Sequence, residues 1–476
     1  VEGRGLAKGN AGRQNAPRTQ CREHGAPSEL DRVRQAARKD KKAKFTALFH
    51  HITIDRLRAA FLSLKRHAAP GVDGVMWEQY AQDLEQNIRD LHERMKAGRY
   101  RHQPIRRVHI PKAPGKTRPI GISSIEDKVV QGALTEVLQA IYEQDFLECS
   151  HGFRPGRSAH DALRAVDAMA FGEGIEWILE ADIQAFFDSL DRSKLREMLQ
   201  RRVDDQSFMR LVGKCLHVGV LDGEEFTTPD EGTVQGSIIS PLLGNVYLHY
   251  VLDTWFEREV KPTLVAHSRL VRYADDFVMG FKSKEDAERV MQMLVARMAE
   301  FGLLLHPDKT RLVPFGRPDR TAPGGKGPAT FDLLGFTLHW RRTRRGGWSM
   351  GMKTRKARLR RALEALGEFC RRHRHDSLKE QHAALTRRIQ GHLNYFGVNG
   401  NMRALACLVD EAQRAWRKWL NRRSQRTRLT WERFKAFLKV FPLPTPRIRV
   451  RIWALAPRGC SAEEPYGGNL QVRLRG

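Results

Sequence analysis

Residues 272–281 read RYADDFVMGF, and the adjacent carboxylates Asp275 and Asp276 constrain the local fold more than any other short stretch. Tyr, Val and Phe suit a half-buried strand while Asp is depleted there, so the pattern predicts a hairpin with the acid pair at its bend. Taken alone, a polar surface turn explains the same letters. IEWILEADIQAFFDSLDRSKL (175–195) opens as an apolar strand, meets Asp182 at its end, and is expected to turn into a helix after Phe187. A carboxylate at the carboxyl end of a strand is where open α/β sheets place function. If the hairpin lies beside that strand, three carboxylates share one small volume, and divalent cations relieve their repulsion. Carboxylate-only sites favour Mg2+, and two such ions serve phosphodiester formation by activating a hydroxyl and stabilising a leaving pyrophosphate.

The rest of the chain sets the context. At 476 residues it can bury a large core, with roughly two or three domains expected. No apolar run suits a membrane span, and the basic N-terminus lacks the apolar segment of a signal peptide, so a cytoplasmic or nucleoid protein is expected. The six cysteines, at 21, 149, 215, 370, 407 and 460, show no CxxC pair or zinc spacing and read as reduced. Charge is unevenly placed: residues 1–50 hold 12 Lys/Arg against 5 Asp/Glu, 51–340 hold 38 against 41, and 341–476 hold 33 against 9. A slightly acidic body followed by an intensely basic last third suggests a catalytic unit joined to a polyanion-binding one. Nucleic acid is the expected polyanion, with a solvated basic face or an anionic lipid surface as the alternative.

Residues 1–50 read as a flexible basic arm or frayed helix. IRRVHIPKAPGKTRPIGI reads as two strands around a Pro/Gly loop, and SKEDAERVMQMLVARMAEFG as an amphipathic helix capped by Ser283 with Asp286 and ended at Gly302. Its Met-rich stripe, Val295 included, is taken as core packing. FDLLGFTLHW reads as a strand, and beyond Arg341 the pattern becomes helical, with Leu359, Leu363, Leu366 and Phe369 on one face.

DIQAFFDSL and YADD resemble motifs A and C of polymerase palms. GKTRPIGISSIEDKVVQGAL, SHGFRPGRSAHDAL, VQGSIISPLLGNVYLH, LHPDKTRLV and LLGF follow the order found in reverse transcriptases encoded by group II introns. YFGVNGN and WLNRRSQ resemble the maturase, or thumb, domain of that family. The resemblance covers about residues 30–450 and makes a surface turn at Asp275 and Asp276 the weaker reading. It implies an α+β fold: right-hand polymerase fingers and palm with an antiparallel palm sheet over 51–340, a helical thumb/maturase domain over 341–445, and a basic tail over 446–476.

Carried over residue by residue, the resemblance implies that Asp182, Asp275 and Asp276 hold two Mg2+ ions with the Ile183 carbonyl. Lys112 and Arg118 match positions that hold the incoming triphosphate, a role suited to a Lys point charge and an Arg fork; a solvated hairpin charge is the alternative. Phe187 matches an aromatic ring set against the sugar to exclude a 2′-hydroxyl, with an ordinary core Phe as the alternative. Gln235 matches a residue near the sugar and triphosphate, and Gly236 allows close backbone approach. Lys309 matches a lysine suited to protonating pyrophosphate, with a structural ion pair as the alternative. Asp188 reads as a helix-start or structural acid. Arg422 and Arg423 are candidate nucleic-acid contacts, and Trp416 and Trp419 read as packing between helices, with flanking of bases as the alternative.

The resemblance implies an RNA-directed DNA polymerase that binds its intron RNA and assists splicing and mobility. Its expected partners are an RNA template with a DNA primer, target DNA and deoxynucleoside triphosphates, with no membrane. The final GGNLQVRLRG lacks the His/Cys cluster of an endonuclease domain, so cleavage of the bottom DNA strand is not expected. Two other readings stay open: a domesticated reverse transcriptase in repair or defence, and an RNA-binding splicing factor without polymerase activity.

Overall fold

The computed structural model describes residues 29–452 apart from 114–115, 224, 228–231, 234, 320–328, 344–345 and 425–428, and of residues 29, 111–113 and 116 the backbone alone. Among the described residues the strands are β1 (Ile105–Ala113), β2 (Lys116–Ile122), β3 (Trp177–Ala181), β4 (Val220–Asp222), β5 (Glu225–Thr227), β6 (Ser268–Tyr273), β7 (Asp276–Phe281), β8 (Arg311–Pro314), β9 (Phe331–Leu333), β10 (Phe336–Arg342) and β11 (Trp348–Thr354). They form three sheets, ordered β2-β1-β4-β5, β6-β7-β3-β8 and β11-β10-β9. Among the described strands β1 and β4 pair in parallel and the other ladders are antiparallel.

The middle sheet explains why its strands read as nearly continuous apolar runs. Alternate side chains leave a strand on opposite faces, and here both faces are covered. Leu179, Ala181, Leu270, Phe277, Met279 and Phe281 enter one core, built around the long buried helix Ile125–Asp145. Ile178, Val271, Val278 and Val313 enter a second core, shared with β9–β11 and the C-terminal helices. Gly280 faces that second core, where a Cβ would lie 2.6 Å from the Met169 sulfur. A sheet buried on both faces loses polar alternation and leaves polar residues to its edges and turns.

The expected hairpin over 105–122 forms, although its Pro114–Gly115 bend lies outside the described residues. The helix Lys284–Glu300 forms with Ser283 accepting from the Asp286 N–H, but Val295 is exposed, so the apolar face is narrower than its letters suggest. Four free cysteines, Cys149, Cys215, Cys370 and Cys407, are described, and Cys21 and Cys460 lie outside the described residues.

Three expectations are corrected. The N-terminal arm is not flexible throughout: Glu29–Lys39 is a helix that buries Leu30, Val33 and Ala37, while residues 1–28 lie outside the described part. Polar contacts add to that burial: the buried Arg202 guanidinium donates to the Ala37, Asp40 and Ala43 carbonyls, and beyond the helix Asp205 accepts from the Leu48 and Phe49 N–H groups at 2.7 and 2.8 Å. The boundary at 340/341 falls inside β10, whose partner β11 precedes the first C-terminal helix, Lys356–Arg372. The helix expected after Phe187 is delayed, because Ala185 turns left-handed at φ 42° and the chain first folds back through hydrogen bonds to its carbonyl. The next helix starts at Arg192 with Asp191 as its cap, so Asp188 is not a helix-start acid.

Beyond β11, the helices Lys356–Arg372, Leu378–Phe396, Met402–Leu420 and Trp431–Val440 pack their apolar faces into the second core. Trp416 is fully buried, its indole N–H donating to Gln381 Oε1 at 2.9 Å, as expected of a packing residue. The proximal part of the basic tail is also anchored: Val450 bridges Val398, and Ile452 is buried.

Candidate active site

The register of the middle sheet brings the three acids together. Ala181, the last residue of β3, lies opposite Phe277 on β7, so Asp182 follows beside Asp276, the first residue of β7. The β6–β7 bend pairs Tyr273 with Asp276 and leaves Ala274 and Asp275 at its tip. Ala274 adopts φ 56°, a left-handed conformation costing an alanine about 1–2 kcal/mol. Beyond Asp182, Ile183 bridges Leu305, with the Gln184 N–H donating to the Leu304 carbonyl and the His306 N–H to the Asp182 carbonyl, both at 2.8 Å.

Electrostatics reports the same convergence. Burial raises the Asp275 pKa, and repulsion from Asp182 adds to it. Asp276 is pushed up to about 6, first by burial and then by the charges of Asp275 and Asp182. The donors are oxygen-only, half-buried and mutually repelling, which fits a hard divalent cation. Among the described residues no three His, Cys, Asp or Glu side chains, these acids included, form a group that could by itself hold a metal ion.

Basic residues surround the acids. Lys309 Nζ lies 2.5 Å from Asp182 Oδ2. Arg118, on exposed β2, donates from Nε to Gln235 Oε1 at 2.7 Å, joining two sequence-predicted positions, and its charge also reaches Asp275 and Asp188. The Gly121 N–H donates to the Gln235 carbonyl at 2.7 Å, and Gly236, at φ 111°, passes so close that a Cβ would meet the Gly121 oxygen at 2.5 Å. Phe187 is half-buried against Phe186, and a Cβ on Gly244 would lie 3.2 Å from its ring. Lys112 is on β1, but its side chain is outside the described part. Arg422 and Arg423 are not drawn into this cluster: Arg422 lies over the Trp419 ring at 5.2 Å, and Arg423 donates to the Asp376 carbonyl.

Paired carboxylates at a strand end and a hairpin bend, flanked by cations suited to polyphosphate, can do phosphoryl-transfer chemistry. The family described as Reverse transcriptase (RNA-dependent DNA polymerase) matches residues 110–338. Protein YkfC of Escherichia coli (strain K12) is 34% identical over 282 residues, 53% of this chain and 74% of that protein. The chain belongs to the reverse transcriptase family. Within that family it is similar to the group II intron-encoded protein LtrA of Lactococcus lactis subsp. cremoris, 28% identical over 396 residues. This covers 71% of the chain and 63% of LtrA, so the reverse transcriptase spans slightly under two thirds of LtrA's length. An uncharacterized 91 kDa protein in the cob intron of Schizosaccharomyces pombe is 45% identical over 163 residues, 34% of the chain and 20% of that protein. The activity that defines the family is RNA-directed DNA polymerisation. Among the described residues no helix of the reverse transcriptase is long and apolar enough to cross a membrane.

Sequence reasoning missed what holds the acid-bearing bend of this reverse transcriptase. Arg272, fully buried on β6, donates from Nε and Nη2 to the two Asp253 oxygens at 2.7 and 2.6 Å, and from Nη2 to Ser150 Oγ at 2.8 Å. Its Nη1 donates to Asn245 Oδ1 at 2.9 Å and to the Ala274 carbonyl at 3.0 Å. Asn245 in turn donates to the Gly152 carbonyl at 2.7 Å, and a Cβ on Gly152 would meet the Ala274 nitrogen at 2.3 Å. The one available signal was an arginine inside an apolar strand, which requires a buried partner; the partner's identity is tertiary. Arg358, exposed in the first turn of Lys356–Arg372, was also missed, and its charge reaches Asp276.

Proposed function

We propose that this chain polymerises DNA on an RNA template and binds its own group II intron RNA, assisting splicing and mobility. The observation that carries the reading is the convergence of Asp182, Asp275 and Asp276, with Asp276 raised to about 6 by burial and by the other two acids. In this reading residues 105–122 and their neighbours act as fingers, the β6-β7-β3-β8 sheet as palm, and the C-terminal helices as thumb and RNA-binding domain. The three acids, with the Ile183 carbonyl, hold two divalent cations. Once bound, Mg2+ supplies Lewis acidity to the primer hydroxyl and to the leaving pyrophosphate.

The chain's own residues do the rest. Arg118, oriented by Gln235, presents a planar fork to triphosphate oxygens, and Lys112 adds a point charge. Phe187 packs against the deoxyribose where a 2′-hydroxyl would clash. Lys309 holds a proton beside Asp182 for the departing pyrophosphate. The basic C-terminal helices engage intron RNA through its phosphates.

Primer extension on an RNA template with deoxynucleotides and Mg2+ tests this reading beside an Asp275→Ala/Asp276→Ala control. The expected result is metal-dependent cDNA that disappears in the control while RNA binding persists. RNA binding without cDNA in the unaltered protein would instead favour a splicing factor lacking polymerase activity.

A further inference from the structure

The segment 51–340 carries slightly more acids than bases, 41 against 38, yet one of its cavities is strongly cationic. The cavity, of about 600 Å3, opens between the helices Arg192–Gln200 and Gln206–Leu216, β4–β5 and the segment before β1. Arg101, Arg192, Arg196, Arg210 and Lys214 line it, and none of its lining residues is acidic. None belongs to the carboxylate cluster or to the Arg118–Gln235 pair. Lys214 is held in place by the Gly98 and Tyr100 carbonyls, which do not neutralise it. The charges of Arg192 and Arg196 both act on His217 and, after burial, lower its pKa, so these groups face one space.

Phe226 completes the wall. It is 58% exposed, and its ring rests on the backbone of Gly219, where a Cβ would lie 2.3 Å from the ring edge. Glycine alone leaves room for the ring to lie there. A large exposed aromatic set into a cationic cavity combines what single-stranded nucleic acid requires: charge along the phosphates and a face on which a base stacks. A membrane headgroup would use the charge but not the face, and duplex RNA would not offer an unstacked base.

The geometry points to this cavity as a second nucleic-acid site, which takes a single-stranded RNA segment with phosphates on Arg196 and Arg210 and one base stacked on Phe226. The site is joined to the catalytic cleft through Arg192, whose Nε donates at 2.7 Å to the carbonyl of Gly232, on the loop leading to Gln235. The inference rests on the nucleic-acid function proposed above.

The test uses the full chain and a short 4-thiouridine-containing oligo-uridylate. Photo-cross-links are mapped by mass spectrometry, and affinity is measured by fluorescence anisotropy across salt concentrations. Expected are cross-links to Phe226 or its neighbours, and a salt slope reduced by about 1.4 in Arg196→Ala/Arg210→Ala, at about 0.7 per phosphate on a single strand. Phe226→Ala weakens binding roughly tenfold without changing the slope. Both variants are expected to melt with the unaltered protein and to extend a short primer–template normally. Cross-links confined to residues 356–452, with affinity and slope unchanged in both variants, overturn the cavity assignment while polymerisation survives. Failure of the unaltered protein either to bind RNA or to extend a primer would overturn the underlying function, and the inference with it.

Discussion

Arg272→Lys keeps the charge at the bend that carries Asp275 and Asp276 but removes the shape of the group that holds it. All five guanidinium N–H donors are engaged, by Asp253 twice and by Ser150, Asn245 and the Ala274 carbonyl. An ammonium has three donors on a single nitrogen, so at least two acceptors lose their partners. At about 1.5–3 kcal/mol for each hydrogen bond to a charged group, the loss is about 3–6 kcal/mol, close to the roughly 3–5 kcal/mol found when a buried ion pair is broken. The Ala274 carbonyl is the nearest to the chemistry, and a misplacement of about 1 Å there costs roughly a hundredfold in rate. Urea denaturation should show a lower midpoint with an unchanged m-value, and single-turnover primer extension should slow about a hundredfold with template affinity preserved. Arg272→Met/Asp253→Leu removes both charges; its stability should recover substantially while turnover stays low, because the Ala274 carbonyl still lacks a donor. Arg272→Lys with an unchanged midpoint and rate would refute the argument.

Phe187→Ala should raise ribonucleotide incorporation relative to deoxynucleotide incorporation, measured as a ratio of kcat/KM values; an unchanged ratio returns Phe187 to the role of a core side chain. Gly152→Ala drives a Cβ into the Ala274 nitrogen at 2.3 Å, so it should abolish extension while the melting profile of the C-terminal helices and RNA binding persist. The folded pKa of Asp276, about 6, lies above the roughly 3.9 of an unfolded Asp, so the metal-free folded chain binds the extra proton between those values. Its stability therefore falls as pH rises from about 4 through 6. Mg2+ should oppose that fall by binding the ionised acids, and Asp276→Asn should remove this component in a calorimetric pH series.

The elements that carry the acids were legible in the sequence because their signals are local: apolar strand letters ending at Asp182, and an acid pair interrupting a strand pattern at 275–276. The hairpin over 105–122 and the helix from Lys284 were legible for the same reason. The polar anchoring of the N-terminal segment was not, because it depends on Arg202 and Asp205, far along the chain, reaching back to satisfy backbone groups. The helix expected after Phe187 starts later than its letters suggest, because they are overridden by a left-handed turn at Ala185 that only the tertiary setting imposes. The last-third boundary was misjudged because arginines in β10 and the small and apolar residues of β11 resemble the helical composition beyond them. Arg272 was overlooked for the opposite reason: the charge was visible, but apart from Ala274, two positions on, the residues that satisfy it come from two other parts of the chain, at Ser150 and at Asn245 and Asp253.

The strand order β6-β7-β3-β8 also bears on how the protein is made. β3 is central, yet its neighbours are synthesised long after it: β7 begins at residue 276 and β8 ends at residue 314. Until those residues leave the ribosome, both edges of β3 lack their hydrogen-bonding partners, and the contacts that complete the sheet are distant in sequence, a feature of slow folding. The nascent chain thus passes through a stage in which an apolar strand is exposed to aggregation or chaperone capture. A chain released before residue 275 carries Asp182 but lacks the other two acids, so truncated products are inactive as polymerases in the proposed mechanism.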